Sequence, residues 1–188
     1  DLHGAPGRCD TIKVTYTTLT NELRRTRNEL LSVVNETDPA RASIRPHPGG
    51  WSVVEIAEHL FRTEHKVAVL LETLAEKARA RGRLEGPAPT RLPIRMSLAD
   101  SMTSYDVVEA FPGTEPRMEL GPGDAVQHLV SSRQKLLAVG ETGREHDCSR
   151  LIAPHAQLGR LNFYEWLFFI FAHDRLHRVQ IQEAAGSA

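Results

Sequence analysis

The 188-residue sequence has almost no net charge: 23 lysines and arginines face 24 aspartates and glutamates, a formal −1. That balance offers no long-range pull toward a nucleic acid or an anionic membrane surface. With no basic stripe along the chain either, a nucleic-acid-binding module is disfavoured. Cysteine is scarce. Cys9 and Cys148 are the only two, far apart in polar surroundings, with no CxxC pair. This excludes a disulfide framework and fits a reducing, cytoplasmic compartment. Long apolar runs are also missing. The longest, Phe163 to Ala172 with Glu165 interrupting it, falls short of the roughly 20 residues a bilayer-crossing helix needs. No membrane partner is therefore expected. The opening "DLHGAPGRCD" lacks the basic-then-apolar build of a signal peptide and reads as a flexible tail over 1–10. There are no internal repeats, and no segment shows a convincing strand alternation.

What is present is an ordinary globular composition, 40% hydrophobic and 25% charged, long enough for one well-cored domain over 1–188. Helical periodicity marks four segments. The first covers 11–36, with Ile12, Tyr16, Leu19, Leu23, Leu30 and Val34 at three- and four-residue steps, Asp10 as N-cap and Pro39 beyond its end. "PHPGG" at 46–50 is a turn cluster. The second segment starts near Trp51, where Ser52 and Glu55 form a capping-box pattern. Its inner stripe is Ile56, Leu60, Thr63, Val67, Leu70 and Leu74, and it ends near Gly82. Six of the 11 prolines then fall within 85–123, which no long helix can cross. A connection of that length is expected to pack over the bundle or cover a site, with a short helical turn within "SLADSMTSYDVVEAF". The third segment begins around Asp124 with a stripe of Val126, Leu129, Val130 and Leu137, and a loop over 143–160 precedes the fourth, 161–184. The pattern is all-α, a four-helix bundle with a long crossover between its second and third helices. Because the fourth segment is apolar nearly all round from Leu161 to Ala172, a subunit interface is expected to cover one side, giving a homodimer.

The nine histidines divide by position. His3, His47, His146 and His155 fall in tails or loops and read as solvated. His65 and His128 fall opposite the stripes of their helices and read as surface residues. His173 and His177 differ. On a helical wheel they lie about 40° apart, with Trp166, Phe169 and Ile170 within about 60° of His173. They continue the apolar face and point inward. Two inward imidazoles one turn apart are either a hydrogen-bonded core pair or two ligands of one metal ion, and the spacing alone admits both. His59, at the border of the second helix's inner arc, is the candidate third ligand. Three neutral imidazoles leave an open coordination position, and Zn, Ni or Fe all suit such ligands. Gln180 shares the histidine face and reads as a supporting or pocket residue. Asp174 projects about 100° away and reads as a surface partner of Arg178 four residues on.

"GGWSVVEIAEHLFRTE" (49–64) and "LGRLNFYEWLFFIFAHDRLHRVQI" (158–181) resemble the two signature regions of the DinB/YfiT-like superfamily. The shared features are a Trp-Ser at the start of helix two, a His eight residues after the Trp, and HDxxHxxQ near the end. The resemblance implies a four-helix bundle, often dimeric, and a divalent metal held by His59, His173 and His177. It also implies a metal-dependent hydrolase, or an S-transferase using a low-molecular-weight thiol, acting on a small-molecule substrate. Which residues beyond the ligands carry catalysis is not indicated. The competing reading is a non-catalytic, stress-associated bundle whose histidines are structural or vestigial.

Overall fold

A computed structural model describes residues 11–84, 86–102 and 113–186. The expected tail with Cys9 and Asp10, and the 103–112 part of the crossover, lie outside the described residues. The elements follow in the order β1 (Thr11–Ile12), α1 (Tyr16–Glu36), α2 (Pro39–Ala42), α3 (Val53–Ala80), β2 (Ile94–Arg95), α4 (Met96–Ser101), α5 (Pro122–Glu145), β3 (Ile152–His155), β4 (Gly159–Asn162) and α6 (Phe163–Ala185).

The four long helices, α1, α3, α5 and α6, form the bundle, and the fold is all-α apart from two short strand pairs. Around the bundle the order is α1, α6, α3, α5; α3 packs most extensively on α5 and α1 on α6, while α1–α3 and α5–α6 are diagonal pairs with few contacts. The start of α3 is as expected. Ser52 accepts the Glu55 N–H at 3.3 Å and Glu55 accepts the Ser52 N–H at 2.8 Å, closing a capping box.

Three boundaries depart from expectation. The first helix begins at Tyr16, capped by Thr15, because Ile12 is held as β1 against β2, antiparallel with Thr11 opposite Arg95. Helix α5 starts earlier, with Gly121 as N-cap and Pro122 in the first turn, where its missing N–H costs nothing. The expected loop at 143–160 contains the last turn of α5 and a β3–β4 hairpin registered from Ile152–Asn162 to His155–Gly159. Strands of two and four residues, one holding Pro154, are too short for an alternation to register in the sequence.

The hairpin feeds directly into α6. Asn162 accepts the Tyr164 and Glu165 N–H groups, and Glu165 returns the bond to Asn162, a second capping box. The Asn162 amide also donates to the Pro93 carbonyl at 2.8 Å, and Arg95 pairs with Glu165 at 2.6 Å. The crossover thereby fixes where α6 begins. Gly143 lets α5 approach this junction. A Cβ there would stand 2.8 Å from Phe163 Cε1 and 3.0 Å from Tyr164 Cε1.

The first two turns of helix α6, residues 163–170, are covered on all sides by their own chain. Phe163, Tyr164, Trp166, Leu167, Phe168, Phe169 and Ile170 are all buried. The all-round hydrophobicity that suggested a second subunit is therefore accounted for within one chain. No helix among the described residues is long and apolar enough to cross a membrane. Cys148, read as lying in polar surroundings, is buried in the core beside Tyr164, whose hydroxyl accepts its N–H at 3.1 Å.

Candidate metal centre

Helices α3 and α6 are neighbours in the bundle, and their facing surfaces bring His59, His173 and His177 together. One ring nitrogen of each lies within 4.8 Å of the others. His173 Nε2 is central, 3.1 Å from His59 Nε2 and 3.1 Å from His177 Nε2. His59 and His173 are buried, and His177 is partly so. The inward orientation read from the helical wheel is thus realised, and the border position of His59 proves to be a buried one.

The second nitrogens fix the tautomers. His59 Nδ1 lies 2.9 Å from the Thr114 carbonyl oxygen, which can only accept, so the ring carries its proton there and leaves a lone pair on Nε2. His177 Nδ1 lies 2.7 Å from Gln180 Oε1 and is oriented in the same way. Gln180 makes this contact from the exposed edge of the cluster. Trp51 also packs on the cluster, its ring 5.0 Å from that of His59 and stacked at 6.4 Å over that of His177.

Burial keeps all three rings neutral. It holds His173 well below the ordinary histidine range, helped by the nearby His177, His59, Arg27 and His155. Burial and His59 lower His177 to about 3. Burial also lowers His59, against the Thr114 carbonyl and the Glu115 charge, which act in the opposite sense. Two lone pairs from His59 and His177 converge on the single Nε2 of His173, which can share at most one proton with them. A cation where the three nitrogens meet would satisfy all of them, so the donor set fits a metal ion.

The depressed values set a pH dependence for the metal-free protein. A histidine whose folded pKa lies below its unfolded value of about 6.5 binds fewer protons when folded. Its stabilising contribution is therefore complete above pH 6.5 and is lost as the pH falls toward the folded value. Each such histidine contributes a slope of up to about 1.4 kcal/mol per pH unit. Urea midpoints measured without metal should fall steadily between pH 6.5 and 5, above the carboxylate range. A flat profile there would contradict the burial described.

Asp174 corrects the sequence reading. It is 1% exposed rather than on the surface. Its carboxylate binds Arg27 Nη2 (3.1 Å) and Arg133 Nη2 (2.6 Å). The same two arginines hold Glu64, Arg27 at 3.0 Å and Arg133 at 2.5 Å. Leu129 and Leu23 carbonyls accept the remaining Nη1 groups, and Ser132 donates to Glu64. This neutral quartet draws one charge from each of the four long helices. Burial alone would lower the Arg133 pKa, but Asp174 and Glu64 outweigh it and hold it above its usual value. Arg178, the partner expected for Asp174, instead pairs with Glu29 at 2.6 Å.

His155, read as solvated, is also buried. Its Nδ1 accepts the Gln157 and Leu158 N–H groups within the hairpin turn, and its ring packs on Trp166 and Phe169. His65 is exposed as expected, whereas His128 is half-buried and stacks at 4.4 Å on Phe61. The other participants that sequence reasoning missed are Thr114, which acts through its backbone, and Trp51, which marked only the start of the second helical segment.

The DinB superfamily profile matches residues 22–181, most of the chain and all three histidines. The chain belongs to the DinB superfamily. Among solved structures, this DinB protein is similar to one described as TT2238, a four-helix bundle protein. The TM-score is 0.59 at 20% identity, covering 89% of this chain and 98% of that one, a likeness that speaks to the fold. No curated protein matches the sequence.

Proposed function

We propose that this DinB protein is a divalent-metal-dependent enzyme that delivers an external nucleophile, water or a small thiol, to an electrophilic small molecule. The observation that carries the reading is the convergence of three Nε2 atoms, with the tautomers of His59 and His177 held by Thr114 and Gln180. His59, His173 and His177 would hold the ion, with Zn, Ni or Fe compatible with three neutral imidazoles. A bound divalent ion supplies Lewis acidity, which makes a weak nucleophile acidic enough to react near neutral pH.

The chain's own groups favour a nucleophile from outside. Cys148 is buried, and burial together with the Asp147 charge pushes its thiol up to about 12, so it is not an available thiolate. The buried carboxylates nearest the histidines in sequence, Glu58 and Asp174, are both held by arginines. Trp51 and His177 offer a flat aromatic wall against which a small substrate can lie, and the partly exposed His177 and exposed Gln180 mark the side open to solvent. Hydrolysis follows if the nucleophile is water, and S-transfer if it is a thiol.

The test loads metal-free protein with Zn or Ni, measures stoichiometry by elemental analysis, and supplies an electrophilic acceptor with and without a panel of low-molecular-weight thiols. One ion per chain is expected, with acceptor consumption that requires it. Consumption independent of thiol selects the hydrolase. Failure to bind either metal would leave the non-catalytic bundle as the better reading.

A further inference from the structure

We infer that Glu58 is a positioning residue for this centre: its carboxylate pins the crossover strap whose Thr114 carbonyl sets the tautomer of His59. The inference rests on the metal reading for its consequence but not for its geometry. Glu58 precedes His59 on α3 and is fully buried. Its Oε1 accepts the Arg117 N–H at 3.1 Å and its Oε2 the Met118 N–H at 3.0 Å. Arg62, one turn on, donates to Oε1 from Nε (2.8 Å) and Nη2 (2.6 Å) and reaches Glu119 at 3.1 Å. The Glu58 carboxylate at the middle of this i, i+4 Glu–Arg pair is buried, while the strap residues Arg117, Met118 and Glu119 that it meets are exposed.

The backbone at the clamp is strained. Met118 has φ 58°, the left-handed region, and is the only non-glycine residue there among those described. Its side chain is 68% exposed, so no burial of that side chain compensates. A non-glycine residue stays in that region when its surroundings hold it. The Met118 N–H bonded to Glu58 is such a hold. The turn at 117–118 brings the chain back onto α3 and places Thr114, three residues earlier, against His59. The path runs from the Glu58 carboxylate to the 117–118 amides, then to the Thr114 carbonyl, the His59 Nδ1–H and the Nε2 lone pair. Both strap contacts are N–H donors, so both require acceptors. A glutamine would put an NH2 against one of them and release the strap without changing side-chain size.

The test compares wild type with Glu58→Gln, Glu58→Asp and Arg62→Met. In metal-free protein, ring-nitrogen NMR of His59 reports the tautomer, and Zn affinity is measured by chelator competition. Wild type should show His59 as the Nδ1–H form. Glu58→Gln should give a tautomer mixture and a Zn affinity weaker by about 10- to 100-fold, the range for losing a group that orients a ligand. Glu58→Asp, which keeps the charge but withdraws the oxygens by one methylene, should move both readouts the same way. Arg62→Met leaves the backbone clamp and should change neither by more than a few-fold. Wild-type tautomer and Zn affinity in Glu58→Gln would overturn the inference while leaving the metal reading intact. A shifted tautomer in a protein that binds no Zn even as wild type would uphold the positioning role and sink the metal reading. If Glu58→Gln fails to fold, Glu58→Asp decides. If neither folds, the residue is structural and the inference fails.

Discussion

Replacing Asp174 by alanine is expected to lower the unfolding free energy of the metal-free protein by about 3–5 kcal/mol, the range for removing one partner of a buried ion pair. The physical reason lies in what remains. Arg27 and Arg133 are 2% and 4% exposed, and Glu64 alone cannot neutralise two guanidiniums taken out of water. Each would keep its carbonyl acceptor, Leu129 for Arg27 and Leu23 for Arg133, so neither can swing out to solvent without losing that bond as well. Urea unfolding at neutral pH measures the loss. The Arg178–Glu29 pair, which links α6 to α1, is a built-in comparison: both residues are only half-buried, and Arg178→Ala should cost about 1 kcal/mol or less. A loss below about 1 kcal/mol for Asp174→Ala would mean that the quartet is not the closed, buried unit described. Its drawing one charge from each of four helices also suggests what it does for the bundle. A rotation of any one helix leaves an unpaired charge in the centre, which penalises misaligned packings that apolar contacts alone would tolerate.

The second large effect concerns the site itself. His173→Ala is expected to reduce Zn or Ni affinity by more than about 100-fold, beyond what loss of a group that merely orients a ligand produces. His173 Nε2 is the atom both other rings approach, so its removal leaves His59 and His177 without the point at which they meet. His59→Ala should act in the same direction, since it removes the only ligand from α3. Elemental analysis beside chelator competition provides the measurement. Metal retained at full stoichiometry by both variants would refute the three-histidine assignment. Because burial holds His173 well below the usual range, His173→Ala should also flatten the stability profile between pH 6.5 and 5 in the absence of metal. That readout separates loss of a ligand from general damage to the fold.

The sequence by itself determined whatever depends on neighbours within a turn or two of helix. The four long helices, the Ser52–Glu55 capping box and the shared inward face of His173 and His177 all follow from spacings of three and four residues, which backbone geometry converts directly into position. His59 was legible as a border residue of an inner arc, and the structure buries it there. Tertiary structure alone decided the rest. Asp174 sits about 100° round the helix from His173, an outer position if α6 had one inner face. In the bundle α6 has two neighbours, α3 and α1, and the direction read as solvent is where Arg27 of α1 and Arg133 of α5 arrive. His155 became a core residue because a hairpin too short to register in the sequence folded it onto Trp166. The hold on His59 comes from a backbone carbonyl 55 residues away, on a segment whose prolines said only that it was not helical. A backbone carbonyl has no residue type to read, and partners that distant are chosen by how the helices pack rather than by any local spacing.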